Sequence, residues 1–212
     1  MATLSYSKVQ EYLTSLVPSR EPELRTMEKY AEKNGFPIIG PACGYYCYQL
    51  ARMIGAKSVF ELGSGYGYST AWFAKAVKEN GGGVIHHTVW DDKLSNMAQE
   101  HLSKLGYGDM IKYHNAEAVE TLRQTAGPFD LIFNDIDKHG YPDSLPVIKE
   151  KLRSGGILII DNMLWSGRVF DSKNREKNTV AIRRFTRDIT TDTDWIVSLA
   201  PMRDGMIVAY KQ

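Results

Sequence analysis

The stretch Ser58-Val59-Phe60-Glu61-Leu62-Gly63-Ser64-Gly65-Tyr66-Gly67-Tyr68-Ser69 decides the fold. Its first five residues form a short apolar run that reads as a buried β-strand, and helix-patterned chain follows the three glycines. Glycines at alternate positions let the backbone turn sharply and come close to a ligand. The helix start beyond them offers N–H groups with no partner inside the helix. Outward from this point the same alternation repeats. Apolar runs recur at VIHHTV (84–89), MIKYH (110–114), FDLIFN (129–134) and GILII (156–160), with helix-patterned segments between them. Strand–helix alternation of this kind predicts a parallel sheet covered by helices on both faces. FDLIF and GILII are apolar almost throughout, as central strands should be. WIVSLA (195–200) and MIVAY (206–210), joined by PMRDG, predict an antiparallel hairpin at one edge.

Upstream, Val9, Tyr12, Leu13 and Leu16 follow the helical period, as do Leu24, Met27 and Ala31, and a third helix starts near Pro41 and runs to about Met53. The expectation is one α/β domain over 1–212, with a helical lead over 1–55 and a Rossmann-like, doubly wound core over 56–212. That core has seven strands, mostly parallel, with the antiparallel hairpin at its C-terminal edge. A chain of 212 residues suits one sizeable domain, and no interdomain linker is visible.

A formal net charge of +1 gives no field that would recruit nucleic acid or a membrane surface. No apolar run is long enough to cross a bilayer, and MATLSYSKVQ lacks the apolar stretch of a secretory signal, so a cytoplasmic location is expected. Cys43 and Cys47 share a helix face with Leu50 and Ile54 and read as buried thiols. His86 and His87 alternate faces of a strand and cannot form a paired site. Arg183, Arg184 and Arg187 read as a solvated basic face, and His139 as a surface residue.

The glycine turn separates two ligand classes. A dinucleotide fingerprint wants glycine three residues after its second one, and that position is Tyr68. Glu61, two residues before Gly63, would repel a pyrophosphate but suits a cationic ligand carrying an amine and a sulfonium. The pattern Glu-x-Gly-x-Gly-x-Gly resembles the first motif of the S-adenosylmethionine-dependent methyltransferases. At the end of the second strand, where such folds place an acid for the ribose, stands Val89, which accepts no side-chain hydrogen bond. Asp91 is the candidate substitute, and Trp90 the candidate for packing on the adenine.

The fourth strand ends in Asn134-Asp135-Ile136-Asp137-Lys138-His139 and the fifth in Asp161-Asn162-Met163-Leu164-Trp165. If these strands are neighbours, Asp135, Asp161 and Asn162 converge at the carboxyl edge of the sheet. Two carboxylates and an amide oxygen are hard ligands that suit magnesium, manganese or calcium.

DLIFNDIDKHGY and GGILIIDNMLWSGRV resemble the corresponding boxes of the caffeoyl-CoA and catechol O-methyltransferase family, including its small bacterial members. The resemblance covers roughly 36–212 and extends to GPACGYYCYQLARMIGAKSVFELGSGYGYS and the closing DGMIVAYK, with a departure at Ala42 or Cys43, where the family usually has an acid. It implies S-adenosylmethionine as methyl donor and a small aromatic acceptor with vicinal hydroxyls, chelated by a divalent metal on Asp135, Asp161 and Asn162. It implies Lys138 as general base and places Glu61, Gly63, Ser64, Ser69, Ala118, Asp135 and Asp137 around the cofactor. Trp165 would wall the acceptor pocket, and the loops before Pro41 and after Asn162 would select the acceptor. A homodimer through the N-terminal helices is also implied. The rival readings are a tRNA hydroxyuridine O-methyltransferase, an NAD-dependent oxidoreductase and a non-catalytic binding module.

Overall fold

A computed structural model describes residues 5–212; the first four residues of the polar N-terminal stretch lie outside the described residues. Three helices lead, α1 (Tyr6–Ser15), α2 (Pro22–Asn34) and α3 (Gly40–Met53). The alternating part follows as β1 (Ser58–Leu62), α4 (Tyr68–Glu79), β2 (Val84–Thr88), α5 (Asp92–Lys104), β3 (Ile111–His114), α6 (Ala118–Gln124), β4 (Phe129–Asn134) and α7 (Tyr141–Lys151). It closes with β5 (Leu152–Ile160), α8 (Lys177–Thr191), β6 (Trp195–Ala200) and β7 (Met206–Lys211). The strands form one seven-stranded sheet in the order β3-β2-β1-β4-β5-β7-β6. β3, β2, β1, β4 and β5 are parallel, and β7 runs antiparallel to both β5 and β6. The seven strands thus follow the sequence pattern. The hairpin arrives with its second strand inside: β7 buries Met206, Ile207 and Ala209 beside β5, whereas β6 leaves Ile196 and Leu199 exposed at the edge. Among the described residues no helix is long and apolar enough to cross a membrane.

Side chains alternate across the pleat, so each strand feeds two cores. On one face Val59, Leu131, Phe133 and Ile159 meet α2, α3, α4 and α5 through Met27, Cys47, Phe73 and Ala98. On the other, Phe60, Leu62, Ile132 and Leu158 meet α6, α7 and α8 through Leu122, Ile148 and Phe185. Burying each of these large side chains contributes roughly 1.5–3 kcal/mol. Cys43 and Cys47 are free, buried thiols on the inner face of α3, as their spacing implies. Between them, Gly44 allows α3 to touch α4: a Cβ there would stand 2.2 Å from Trp72 Nε1.

Some of the sequence readings change in the folded chain. Arg183 is not a solvated charge. Its guanidinium donates to the carbonyls of Val169 (3.0 Å), Asn174 (2.9 Å), Arg168 (3.1 Å) and Asp171, and so fastens the segment after β5 to α8. Arg184 and Arg187 remain exposed beside Asp188. His86 and His87 stay apart on opposite faces, as their alternation implies, and His86 stacks on His114 of β3, Nδ1 to Nε2 at 3.0 Å.

Glu61, near the end of β1, has no exposed surface, and neither carboxylate oxygen closes a hydrogen bond. Burial pushes its pKa up to about 7, against the opposing pull of the Thr70, Ser69 and Ser64 hydroxyls.

Two measurements follow from this packing. Gly44→Ala drives a methyl group into Trp72, and overpacking of this kind costs roughly 1–3 kcal/mol, so Tm in a thermal melt should fall by several degrees. An unchanged Tm would show that α3 can move away from α4 freely. Because the folded pKa of Glu61 lies above its ordinary value of 4.5, its contribution is fully present below that value and is lost as pH rises through about 7. Urea unfolding of Glu61→Gln should give a flatter stability profile across this interval than the parent. Parallel profiles would place the pH dependence in other groups.

Candidate active site

The site forms where neighbouring strands part. β1 and β4 lie side by side, yet the chain leaving β1 turns into α4 on one face and the chain leaving β4 turns into α7 on the other. The carboxyl ends of such strands are where open α/β sheets bind ligands. A cleft of about 800 Å3 opens there, within the usual size range for small-molecule sites.

Its floor is the glycine turn. Gly63 has φ +84, and a Cβ there would meet the Asp135 carbonyl oxygen at 2.6 Å, so the turn after β1 can press against the turn after β4 only because the side chain is absent. Ser64 and Ser69 line the cleft with Gly63. Glu61, expected among the cofactor contacts, lies sealed beneath this floor rather than in the cleft, because the strand's alternation turns its side chain toward Ser64, Ser69 and Thr70. Tyr68, in the place of the dinucleotide glycine, is buried and donates to Glu28 Oε1 at 2.8 Å.

One wall comes from the ends of β2 and β3. Val89, Trp90 and Ala118 line it, and Trp90 is 74% exposed, so its ring is open to a ligand. Asp91 does not line the cleft. Its Oδ1 accepts from Leu94 N at 2.9 Å and caps α5, the common use of an aspartate before a helix. Capping engages only Oδ1 of this exposed carboxylate, which stands outside the residues that line the cleft.

The opposite wall comes from the ends of β4 and β5. Asp135, Asp137 and Lys138 all line the cleft, and Lys138 Nζ donates to Asp135 Oδ1 at 2.6 Å and to the Ile136 carbonyl at 3.1 Å. His139 is exposed at the rim. Trp165 and the Phe36–Ile39 segment close the cleft from the two sides named by the sequence as acceptor loops.

The register that pairs Asn134 with Ile160 sets Asp135 and Asp161 side by side, as the two sequence boxes imply. They are not open together. Asp161 has no exposed surface, and Arg203 Nη1 lies 2.6 Å from its Oδ2. Burial pushes the Asp161 pKa up to about 6, the charge of Asp135 adds to this, and Arg203 opposes it. Asn162 holds φ +60 and donates from Nδ2 to Asp204 Oδ2 at 3.2 Å. Among the described residues no three His, Cys, Asp or Glu side chains stand together as a metal-binding group. As arranged, Asp135, Asp161 and Asn162 do not fit a divalent ion, because each carboxylate already holds a cation of the chain, Lys138 on Asp135 Oδ1 and Arg203 on Asp161 Oδ2, while Asp161 Oδ1 stays buried without a partner.

Arg203 is the residue that sequence reasoning missed. It belongs to PMRDG, which reads only as a turn. The available signal was positional: a hairpin whose last strand runs against a parallel sheet returns its turn to the carboxyl edge, where ligands bind. Ile207 pairs with Ile160, which puts Arg203 directly above the end of β5.

The comparisons agree with this geometry. The sequence profile of the O-methyltransferase family matches residues 19–212. The chain is 28% identical over 215 aligned positions to a catechol O-methyltransferase of Niastella koreensis, covering 96% of each. It is 28% identical over 195 positions to a putative O-methyltransferase of Mycobacterium marinum, covering 91% of this chain and 86% of that one. Among solved structures, the fold is similar to an O-methyltransferase from Bacillus cereus in complex with SAH, with TM-score 0.87, 24% identity and 97% of each chain covered. It is also similar to the O-methyltransferase TomG from Streptomyces achromogenes in complex with SAM, with TM-score 0.86, 23% identity, and 97% and 96% covered. With the profile spanning nearly its whole length and the glycine turn, Lys138 and the two strand-end boxes meeting in one cleft, the chain belongs to the O-methyltransferase family.

Proposed function

We propose that this cleft transfers a methyl group from S-adenosylmethionine to one hydroxyl of a small aromatic acceptor with vicinal hydroxyls. The observation that carries this reading is the Lys138–Asp135 pair, 2.6 Å apart, in the same cleft as the Gly63 turn. S-adenosylmethionine supplies a methyl carbon made electrophilic by its sulfonium, and the carbon–sulfur electron pair stays on sulfur. The cleft suits that ligand. Close backbone at Gly63, the Ser64 and Ser69 hydroxyls and the open Trp90 ring offer donors and a stacking face, and Asp135 and Asp137 favour a cation. The acceptor enters between Trp165 and the Phe36–Ile39 segment, whose apolar side chains suit an aromatic ring.

Lys138, hydrogen-bonded to Asp135, passes one of its protons to the Asp135 carboxylate and takes the acceptor's hydroxyl proton in its place, so that the pair as a whole gains one proton. Holding the hydroxyl oxygen in line with the methyl supplies much of the rate, since orientation alone is worth up to ~7–11 kcal/mol. The acceptor class comes from the family resemblance and from the catechol enzyme to which the chain is similar. The divalent ion implied by the same resemblance is left out, because Asp161 presents no exposed oxygen to it. A homodimer through the N-terminal helices belongs to the same reading, supported by Tyr6, Tyr12 and Leu16 exposed on and beside α1.

The test is methyl transfer from labelled S-adenosylmethionine to a catechol. The parent chain should transfer, and Lys138→Ala should lower turnover by roughly 100- to 10,000-fold with little change in the acceptor KM. A variant that keeps its turnover and loses only acceptor affinity would remove Lys138 from the proton transfer.

A further inference from the structure

Arg203 stands where the resemblance implies a metal. Its side chain lines the cleft beside Asp135 and Asn162, and Asp161 lies wholly behind it. Nη1 donates to Asp161 Oδ2 at 2.6 Å, and the remaining guanidinium donors have no protein partner among the described residues. At this wall the guanidinium lines the cleft and the Asp161 carboxylate does not.

The surroundings fix Arg203 in this position. Its backbone nitrogen donates to Gln10 Oε1 at 2.8 Å, which ties the turn to α1. The next residue, Asp204, accepts from Asn162 Nδ2 at 3.2 Å and from Ser166 N at 2.6 Å. The backbone of the same turn accepts from Met163 N and Leu164 N at 2.9 and 2.7 Å. Arg203 itself holds φ +46, a left-handed conformation that a residue with a side chain keeps only when its neighbours impose it. An arginine is permanently charged and weakly hydrated, so it can stay beside a buried carboxylate without losing its proton. Charge and donors are therefore fixed in place before any ligand arrives, the condition under which they stabilise developing charge most strongly.

We propose that Arg203 performs in this chain the task for which the resemblance implies a divalent cation: it neutralises Asp161, donates hydrogen bonds to the acceptor oxygen as that oxygen becomes anionic, and allows methyl transfer without a bound metal. The proposal rests on the O-methyltransferase reading of the cleft. The hydroxyl proton goes to the Lys138–Asp135 pair. The oxygen's electron pair forms the new carbon–oxygen bond, the carbon–sulfur pair goes to sulfur, and Arg203 keeps all its protons through the cycle.

The experiment uses the full chain, freed of metal with a chelator, in the parent form and as Arg203→Ala and Arg203→Lys. Mn2+ binding is followed by the loss of the free-ion electron paramagnetic resonance signal, which needs no acceptor. Methyl transfer to a catechol is measured with chelator and with added Mn2+, and a thermal melt checks that each variant folds. The parent should show no saturable Mn2+ binding and equal turnover with and without chelator. Arg203→Ala should lose on the order of 100-fold in turnover, as removal of a charge-stabilising donor does, and should gain Mn2+ binding that restores part of the rate. Arg203→Lys should keep Mn2+ out and lose less turnover. Stoichiometric Mn2+ binding by the parent, or turnover that chelator abolishes, would overturn the proposal. If Arg203→Ala fails to fold, the parent's Mn2+ titration and the Lys variant still decide. A parent that excludes Mn2+ yet methylates no catechol would overturn the acceptor reading while supporting Arg203 as the resident cation.

Discussion

Two adjacent parallel strands, β1 and β4, send their chains to opposite faces of the sheet, and everything functional in this protein is arranged around that divergence. α4 goes to the face that carries Met27 and Phe73, α7 to the face that carries Ile148 and Phe185. No helix can then cover the carboxyl ends of the two strands, and a cleft follows from topology before any side chain is chosen. Its depth depends on a close approach. The Gly63 backbone lies against the Asp135 carbonyl, and the ligand-facing turns of β1 and β4 meet there without a side chain between them.

Charge in the cleft is nearly balanced by groups the chain itself provides. Asp135 is paired with Lys138 and Asp161 with Arg203, both at 2.6 Å. A buried carboxylate without a partner is strongly destabilising, so Asp161, with no exposed surface, depends on its guanidinium for the fold. Burial pulls the Arg203 pKa down, and Asp161, Asp135, Cys43 and Asp204 together more than offset it and hold it above its ordinary value. A covalently tethered cation of this kind is present in every folded molecule. An exchangeable ion is present only at the concentration its surroundings allow.

Much of this was legible in the sequence because the relevant signals are local. Runs such as SVFEL, FDLIFN and WIVSLA became strands over the same residues, since an apolar run bounded by turn residues has few other ways to be buried. Lys138 and Asp135 could be placed because they follow a strand end directly. What stayed hidden depends on side-chain direction or on pairing between distant segments. Glu61 is acidic and sits near a strand end, which suggests a ligand contact, but the pleat turns it under the floor. Asp91 precedes a helix, and capping takes its oxygen. Arg183 shares a helix with two exposed arginines, and only the folded segment after β5 supplies the carbonyls that engage it. Arg203 required knowing that β7 inserts between β5 and β6.

The stitching between the segment after β5 and the hairpin turn bears on how the acceptor range of such an enzyme can change. Asn162, Met163, Leu164 and Ser166 are each hydrogen-bonded to Asp204 or Gly205, so this side of the cleft is a braced backbone rather than a free loop. A differently shaped acceptor cannot be accommodated by letting this wall swing outward without breaking several of those bonds at once. On the proposed reading of the cleft, a new preference would be channelled into exchanges of side chains that project from the brace, Trp165 above all, and into the Phe36–Ile39 segment opposite. The methyl-transfer geometry is inherited intact, and substrate identity varies as an inlay on a rigid frame.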